Sequence, residues 1–317
     1  MKYTIPIAFA ISILLSSIFA ESPAVRTVGL PRELTTPDHF FIAPKWSPDG
    51  TTIAVSGAKY VGIYLISFPD GDIVTLTEDP GAGFGMEWSH GGEKIAARIS
   101  RFENKRRYNA IAIFDVISGS RNVISDWLTL FPGTPKWTKN DEFIYISGTD
   151  KFKIYNTTSK NLRTKPISLP DEKVIFVKKD RINARDVSSQ DEFEINAVEG
   201  RILNLTISPD GTMMAFEIMG GNLWVSDVDG KNPIDLGRGY APAWHPNSDK
   251  IAYMVTTDDG HRYLSSDIYV VNADGTGKVN ISNTPDLLEM HPAWSPDGKW
   301  IAYDTLNKGQ IFVQEVR

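Results

Sequence analysis

The 317-residue chain contains no cysteine. That excludes disulfides, thiolate nucleophiles, cysteine-held metals and a lipid-modified cysteine at a mature N-terminus. Histidine is scarce, with five in the whole chain, so few imidazoles are on hand for a transition metal. A surplus of positive charge is also missing. The formal charge is -6 at pH 7, and phosphate backbones demand a basic face, which argues against a nucleic-acid partner. Beyond the N-terminus no apolar run is long enough to cross a bilayer. Gly-x-Ser-x-Gly, phosphate-cradling glycine loops and His-Glu-x-x-His are absent, which removes the common signatures of acyl transfer, nucleotide binding and zinc proteolysis. The close carboxylates Asp258 and Asp259, and Asp70 and Asp72, fall in predicted turns where solvent keeps them ordinary acids.

Met1 and Lys2 precede an apolar stretch from Ile5 to Phe19, then Ala20 and the charged Glu21. This is the layout of a secretory signal peptide over residues 1–20, with an uncleaved membrane anchor as the alternative. Loss of the single cation Lys2 takes the formal charge from -6 to -7. A disulfide-free exported protein suits a periplasmic or secreted location in a bacterium. The remaining residues, 21–317, are read as one domain that is a monomer without a membrane span.

What is present is a repeat. Pro44-Lys45-Trp46-Ser47-Pro48-Asp49-Gly50 and Pro292-Ala293-Trp294-Ser295-Pro296-Asp297-Gly298 are its clearest copies. Weaker ones are Trp88-Ser89-His90-Gly91-Gly92, Pro135-Lys136-Trp137-Thr138, Ile207-Ser208-Pro209-Asp210-Gly211, Pro242-Ala243-Trp244-His245-Pro246 and, weakest, Leu169-Pro170-Asp171-Glu172. Their spacing of roughly forty residues is the period of a four-stranded propeller blade. Each copy leads into short β-branched and aromatic runs separated by Asp-Gly turns, which are strands joined as hairpins. Pro presets the motif's turn, Asp bonds its own backbone, and Gly accepts a positive φ. The Trp is expected at the end of the innermost strand, packed between neighbouring blades.

These residues resemble the TolB-like, WD-repeat-related β-propellers, whose hallmark is Pro-x-Trp-Ser-Pro-Asp-Gly followed by an Ile-Ala-Phe/Tyr strand. Trp294-Ser295-Pro296-Asp297-Gly298-Lys299-Trp300-Ile301-Ala302-Tyr303 matches it almost letter for letter. The resemblance implies an all-β propeller of four-stranded antiparallel blades. TolB itself has a separate α/β domain ahead of six blades, for which this chain has no room, so a Tol-system role is not implied. Strand-like runs between the third Trp motif and Ile207 number six, nearer two blades than one, so seven blades are preferred to six. The chain ends one strand short of a last blade. Pro31 to Asp38 resembles Lys278 to Asp286 and is expected to supply that strand, closing the ring and pairing both free edges.

In such a ring the Asp-Gly turns occupy one face. Hairpins between the second and third strands share the other with the blade-to-blade connections. The second face carries the varied segments and is the expected binding face. Arg101, Phe102, Arg106, Arg107 and Tyr108 interleave cations and rings, a mixture suited to an acidic partner or a sugar. Trp127, together with His261, Arg262 and Tyr263, belongs to the same face. Asn204, Glu289 and His291 are expected near the mouth of the axial channel. No cofactor is expected. A divalent metal on channel histidines is the alternative, with His39 and His261 joining His291. The favoured function is non-enzymatic binding of a protein or glycan. The resemblance also implies an alternative, since some similar propellers are metal-dependent oligogalacturonate lyases. A structural subunit of an envelope complex is the third reading.

Overall fold

The computed structural model describes residues 23–131, 133–148, 151–157, 172–195 and 197–317. The expected signal segment, the strand-like run from Arg163 to Ile167 and most of the weakest repeat copy lie outside those residues. Among the described residues the chain forms seven antiparallel sheets, five of four strands and two of three. They follow one another in chain order and are called blades 1 to 7. Blade 1 comprises Phe41–Trp46, Thr52–Gly57, Val61–Ser67 and Ile73–Pro80. Blade 2 begins at Glu87–Trp88, blade 3 at Pro135–Trp137, blade 4 at Lys173–Lys178, blade 5 at Ile202–Ile207 and blade 6 at Tyr240–Trp244. Blade 7 comprises Glu289–Trp294, Trp300–Thr305 and Ile311–Val316, and its fourth strand is Thr27–Glu33. That N-terminal strand runs antiparallel to the last one, pairing Thr27 with Val316 and Glu33 with Phe312. Ring closure follows the expectation, with the strand starting four residues earlier than Pro31. No helix among the described residues is long and apolar enough to cross a membrane.

The repeat explains the ring. In the Ser-Pro-Asp-Gly turn of blade 1 the Ser47 hydroxyl donates to Asp49 and accepts from the Thr52 amide, while Asp49 also accepts from the Thr51 amide. Blades 5 and 7 repeat this network with Ser208 and Asp210, and Ser295 and Asp297. Gly50, Gly211 and Gly298 close these turns at φ of 74°, 75° and 70°, a region open to glycine at no steric cost. The Trp indoles stitch blades together. Trp46 donates its ring N–H to the Ala293 carbonyl, Trp88 to that of Lys45, Trp137 to that of Glu87 and Trp244 to that of Thr206. Each acceptor is the residue before the Trp position of the preceding blade.

The core therefore lies between blades. One cluster joins Ile268 and Ile281 of blade 6 to Met290, Trp294 and Ile301 of blade 7, and another joins Leu223 and Val225 of blade 5 to Trp244 and Ile251 of blade 6. A further regularity has no shared residue type. Ala43, Asn204, Ala241 and His291, each three residues before the Trp position, take φ of 55°, 47°, 52° and 47°. The innermost strand slips register at all four, which marks a bulge.

Candidate functional site: the rim between blades 1 and 2

The second and third strands of blade 2, Lys94–Glu103 and Arg106–Asp115, are ten residues each, against six for their counterparts in blade 7. They stay paired out to Glu103 and Arg106, and Asn104 and Lys105 form the turn, both at positive φ. The expected loop over Ser100 to Tyr108 is thus a β-ribbon. Side chains alternate along a strand, so the ribbon divides the predicted residues. Phe102 and Arg107 are directly paired on one face with Ser100 and Arg98; Arg101, Arg106 and Tyr108 lie on the other. On that other face the Arg101 guanidinium sits 4.3 Å from the Trp127 ring centroid and 3.2 Å from Glu103. Trp127 is half-buried against the core beneath blade 2.

The first face borders a cavity of about 400 Å³. Its walls include Lys59 and Tyr60 from the blade 1 hairpin, Phe84 from the connection between blades, and Arg98, Phe102 and Arg107 from the ribbon. Hairpin and blade-to-blade connection therefore do share a face. Lys59 and Tyr60 both hold positive φ, 56° and 60°, the two-residue turn that a tight hairpin needs. The Tyr60 ring meets Phe84 edge-on, with centroids 5.1 Å apart. Arg98 lies over the same Phe84 ring at 4.8 Å. Arg107 donates two hydrogen bonds to the Ser100 hydroxyl, of 3.0 and 2.8 Å, and that hydroxyl donates to Asn109. Gly81, at φ 80°, leaves the space these groups fill, since a Cβ there would stand 2.8 Å from Ser100 Oγ and 3.0 Å from Arg107 Nη2.

Among the described residues no carboxylate lines this cavity. Asp79, adjacent to Pro80, is engaged by Arg121 through bonds of 2.7 and 2.8 Å. Burial, and then the like charge of Arg107, push the Arg98 pKa below its ordinary value. Its Nε is buried with no hydrogen-bond partner among the described residues. Two guanidiniums thus lie in one cavity, Arg98 over the Phe84 ring, a donor set whose chemistry matches an anion joined to an apolar group.

The position of Arg98 in the repeat belongs in blades 5 and 7 to a carboxylate, and in blades 1 and 6 to Ser56 and Met254. In blade 5 it is Glu217, which accepts from the Asn204 side chain at 2.8 Å and from the Ala241 amide of blade 6 at 2.6 Å. In blade 7 it is Asp304, bonded to His291 Nδ1 at 2.9 Å and to the Ala43 amide of blade 1 at 3.0 Å. Each carboxylate clasps the bulge of its own blade to that of the next. Asn204 and His291, expected at the channel mouth for binding, are parts of this clasp. Burial works against a charged His291, but the hydrogen bond and charge of Asp304 outweigh it and raise the pKa.

Glu289, expected beside them, is fully buried, so it cannot meet a ligand from solvent. Among the described residues neither of its carboxylate oxygens has a hydrogen-bond partner from another residue, and burial, with a smaller contribution from Asp267, pushes its pKa up to about 8. His39 stacks on Phe41, and His261, Arg262 and Tyr263 line a pocket at the tip of the blade 6 hairpin. Among the described residues no three His, Asp or Glu side chains converge as metal ligands.

A second cavity, of about 420 Å³, is lined by innermost strands of blades 2 to 5. Glu87 there is bonded by Lys45 at 2.6 Å and Lys136 at 3.0 Å. Burial opposes its charge, but Lys136 and Lys45 overcome that and hold the carboxyl at about 2. These three occupy the position just before the Trp in blades 1 to 3, a signal the sequence displayed. Arg98, Lys59 and Tyr60 had no such signal, because only the fold brings them to Phe84.

The architecture is a β-propeller of seven antiparallel sheets among the described residues. In particular it resembles TolB. A putative TolB from Agrobacterium tumefaciens superposes with a TM-score of 0.56 at 19% identity, covering 90% of this chain and 92% of that one. An oligogalacturonate lyase from Vibrio parahaemolyticus gives 0.65 at 14%, covering 93% and 98%. The RRP9 WD40 repeats give 0.63 at 11%, covering 92% and 100%. At such identities these likenesses concern the fold. No protein-family model matches the chain. The Tol-Pal system protein TolB of Sodalis glossinidius (strain morsitans) is 40% identical over 62 residues, 19% of this chain and 14% of that protein. A tricorn protease homolog from Saccharolobus solfataricus is 27% identical over 114 residues, 34% of this chain and 10% of that protein. The matched stretches thus span about a seventh or less of these curated relatives.

Proposed function

We propose that this is an exported protein of the bacterial envelope, periplasmic or secreted, that binds a protein partner through the rim of blades 1 and 2 rather than catalysing a reaction. The observation that carries this reading is the ribbon of blade 2, which leaves Phe102 66% exposed beside Arg98 and Arg107, in a cavity that no carboxylate lines among the described residues. An exposed ring flanked by guanidiniums has the make-up of an interface anchor. The TolB and WD40 likenesses agree with this reading.

The test is affinity capture from envelope extract with the full chain and with Phe102→Ser. A partner retained by the wild type and lost with the variant is the expected result. Equal capture by both overturns this face as the binding site. Binding to a glycan array that is lost in Arg106→Ala and Tyr108→Ala moves the assignment to the ribbon's other face and to a sugar. Stoichiometric metal in the purified protein, with a lower Tm after chelation, would instead favour the lyase alternative.

A further inference from the structure

We infer that the cavity between blades 1 and 2 receives the C-terminal carboxylate of the protein partner, with a large apolar last side chain resting against Tyr60, Phe84 and Phe102. The inference rests on the partner-binding function proposed above. Three observations lead to it. First, blade 2 replaces the clasping carboxylate of blades 5 and 7 with Arg98. The cation there lines a cavity, and its buried Nε has no hydrogen-bond partner among the described residues. Second, Arg107 is fixed beside it by Ser100 through two bonds, so a second guanidinium waits in a set orientation. Ser100 takes the Nε and Nη2 edge of Arg107, so the Nη1 group of Arg107 and the Nη groups of Arg98 are the donors for the two oxygens of a planar carboxylate. Third, the remaining walls are mainly apolar, and Val61 extends them. A chain's last residue carries its carboxylate and its side chain on one Cα, so both reach a cavity of this size together. An internal aspartate or glutamate brings no apolar group of its own.

Charge complementarity supports the same occupant. The protein as a whole is acidic at -6 and repels carboxylates in general. Lys59, Arg98 and Arg107 make this rim a local exception, and such a contrast favours a single anionic group placed there over a long acidic segment.

The test uses the full chain and fluorescence anisotropy with labelled hexapeptides. One set ends in a free-acid phenylalanine or leucine, a second has the same sequences as C-terminal amides, and a third is amide-capped with an internal glutamate beside the apolar residue. The free acids are expected to bind at least tenfold more tightly than either capped set. Arg98→Gln and Arg107→Gln are each expected to weaken the free acids by about tenfold. Arg107 is exposed, so its variant should fold even if Arg98→Gln does not. Equal binding of acid and amide, equal binding of the capped glutamate peptide, indifference to both variants, or no binding at millimolar peptide each overturns the inference. The two claims fail separately. A partner captured through Phe102 that the free-acid peptide does not displace sinks the carboxylate assignment alone. Peptide binding with no partner in the extract sinks the proposed function alone.

Discussion

Blades 5 and 7 differ from blade 2 at one position of the same repeat. Glu217 and Asp304 turn inward, accept the bulge amide of the next blade and hold two blades in register. Arg98 is a donor only and cannot accept an amide N–H, and instead lies over the Phe84 ring. The first arrangement engages one oxygen of each carboxylate with a side chain of its own blade and a backbone amide of the next, and the second leaves Arg98 Nε without a hydrogen-bond partner among the described residues.

Four experiments would break or sharpen that contrast. The largest effect is expected from Asp304→Ala, which strands His291 and the Ala43 amide; urea unfolding should show a loss of about 3 kcal/mol. A loss under 1 kcal/mol would mean that the clasp is incidental. Glu289 is the counter-case, a buried carboxyl with no clasp. Its pKa is raised, so the folded state holds the proton where the unfolded state has released it. Stability should therefore fall as pH rises from about 4.5 and level off above about 8. Glu289→Gln should remove that slope and stabilise the protein by an amount on the order of 3 kcal/mol at pH 7; parallel pH profiles for variant and wild type would contradict this.

Smaller changes are expected at the rim. Gly81→Ala forces a side chain into positive φ and against Ser100, for about 1 kcal/mol of lost stability and a displaced Arg107. Arg98→Glu restores the carboxylate of blades 5 and 7 to blade 2. It should leave stability within about 1 kcal/mol yet abolish free-acid peptide binding, and retained binding would show that Arg98 is mere scaffold.

The turns and indoles were legible because each is a local matter. Ser47, Asp49 and Gly50 complete their network within six residues, and Trp46 marks where the innermost strand ends. The ribbon was only partly legible. Ser100 to Tyr108 has the alternation of a strand, but its charges and the Asn104-Lys105 pair, in place of a glycine turn, disguised it as a loop. The bulge residues were not legible at all. Ala43, Asn204, Ala241 and His291 share no chemistry, and what holds them is a backbone amide meeting a carboxylate from the preceding blade, or a side chain meeting one from their own.

By itself the sequence determined the all-β propeller, its repeat and its closure by the N-terminal strand, because turn chemistry and alternation act over a few residues and recur. Only the tertiary structure decided which side chains share a site. Arg98, Arg107, Phe84 and Tyr60 come from three segments whose meeting depends on how two twisted blades pack, and that geometry is written in no single stretch of the chain. Burial decided the rest. It withdrew Glu289 from solvent, while hydrogen bonds to Asp304 and Glu217 tied His291 and Asn204 into the clasps.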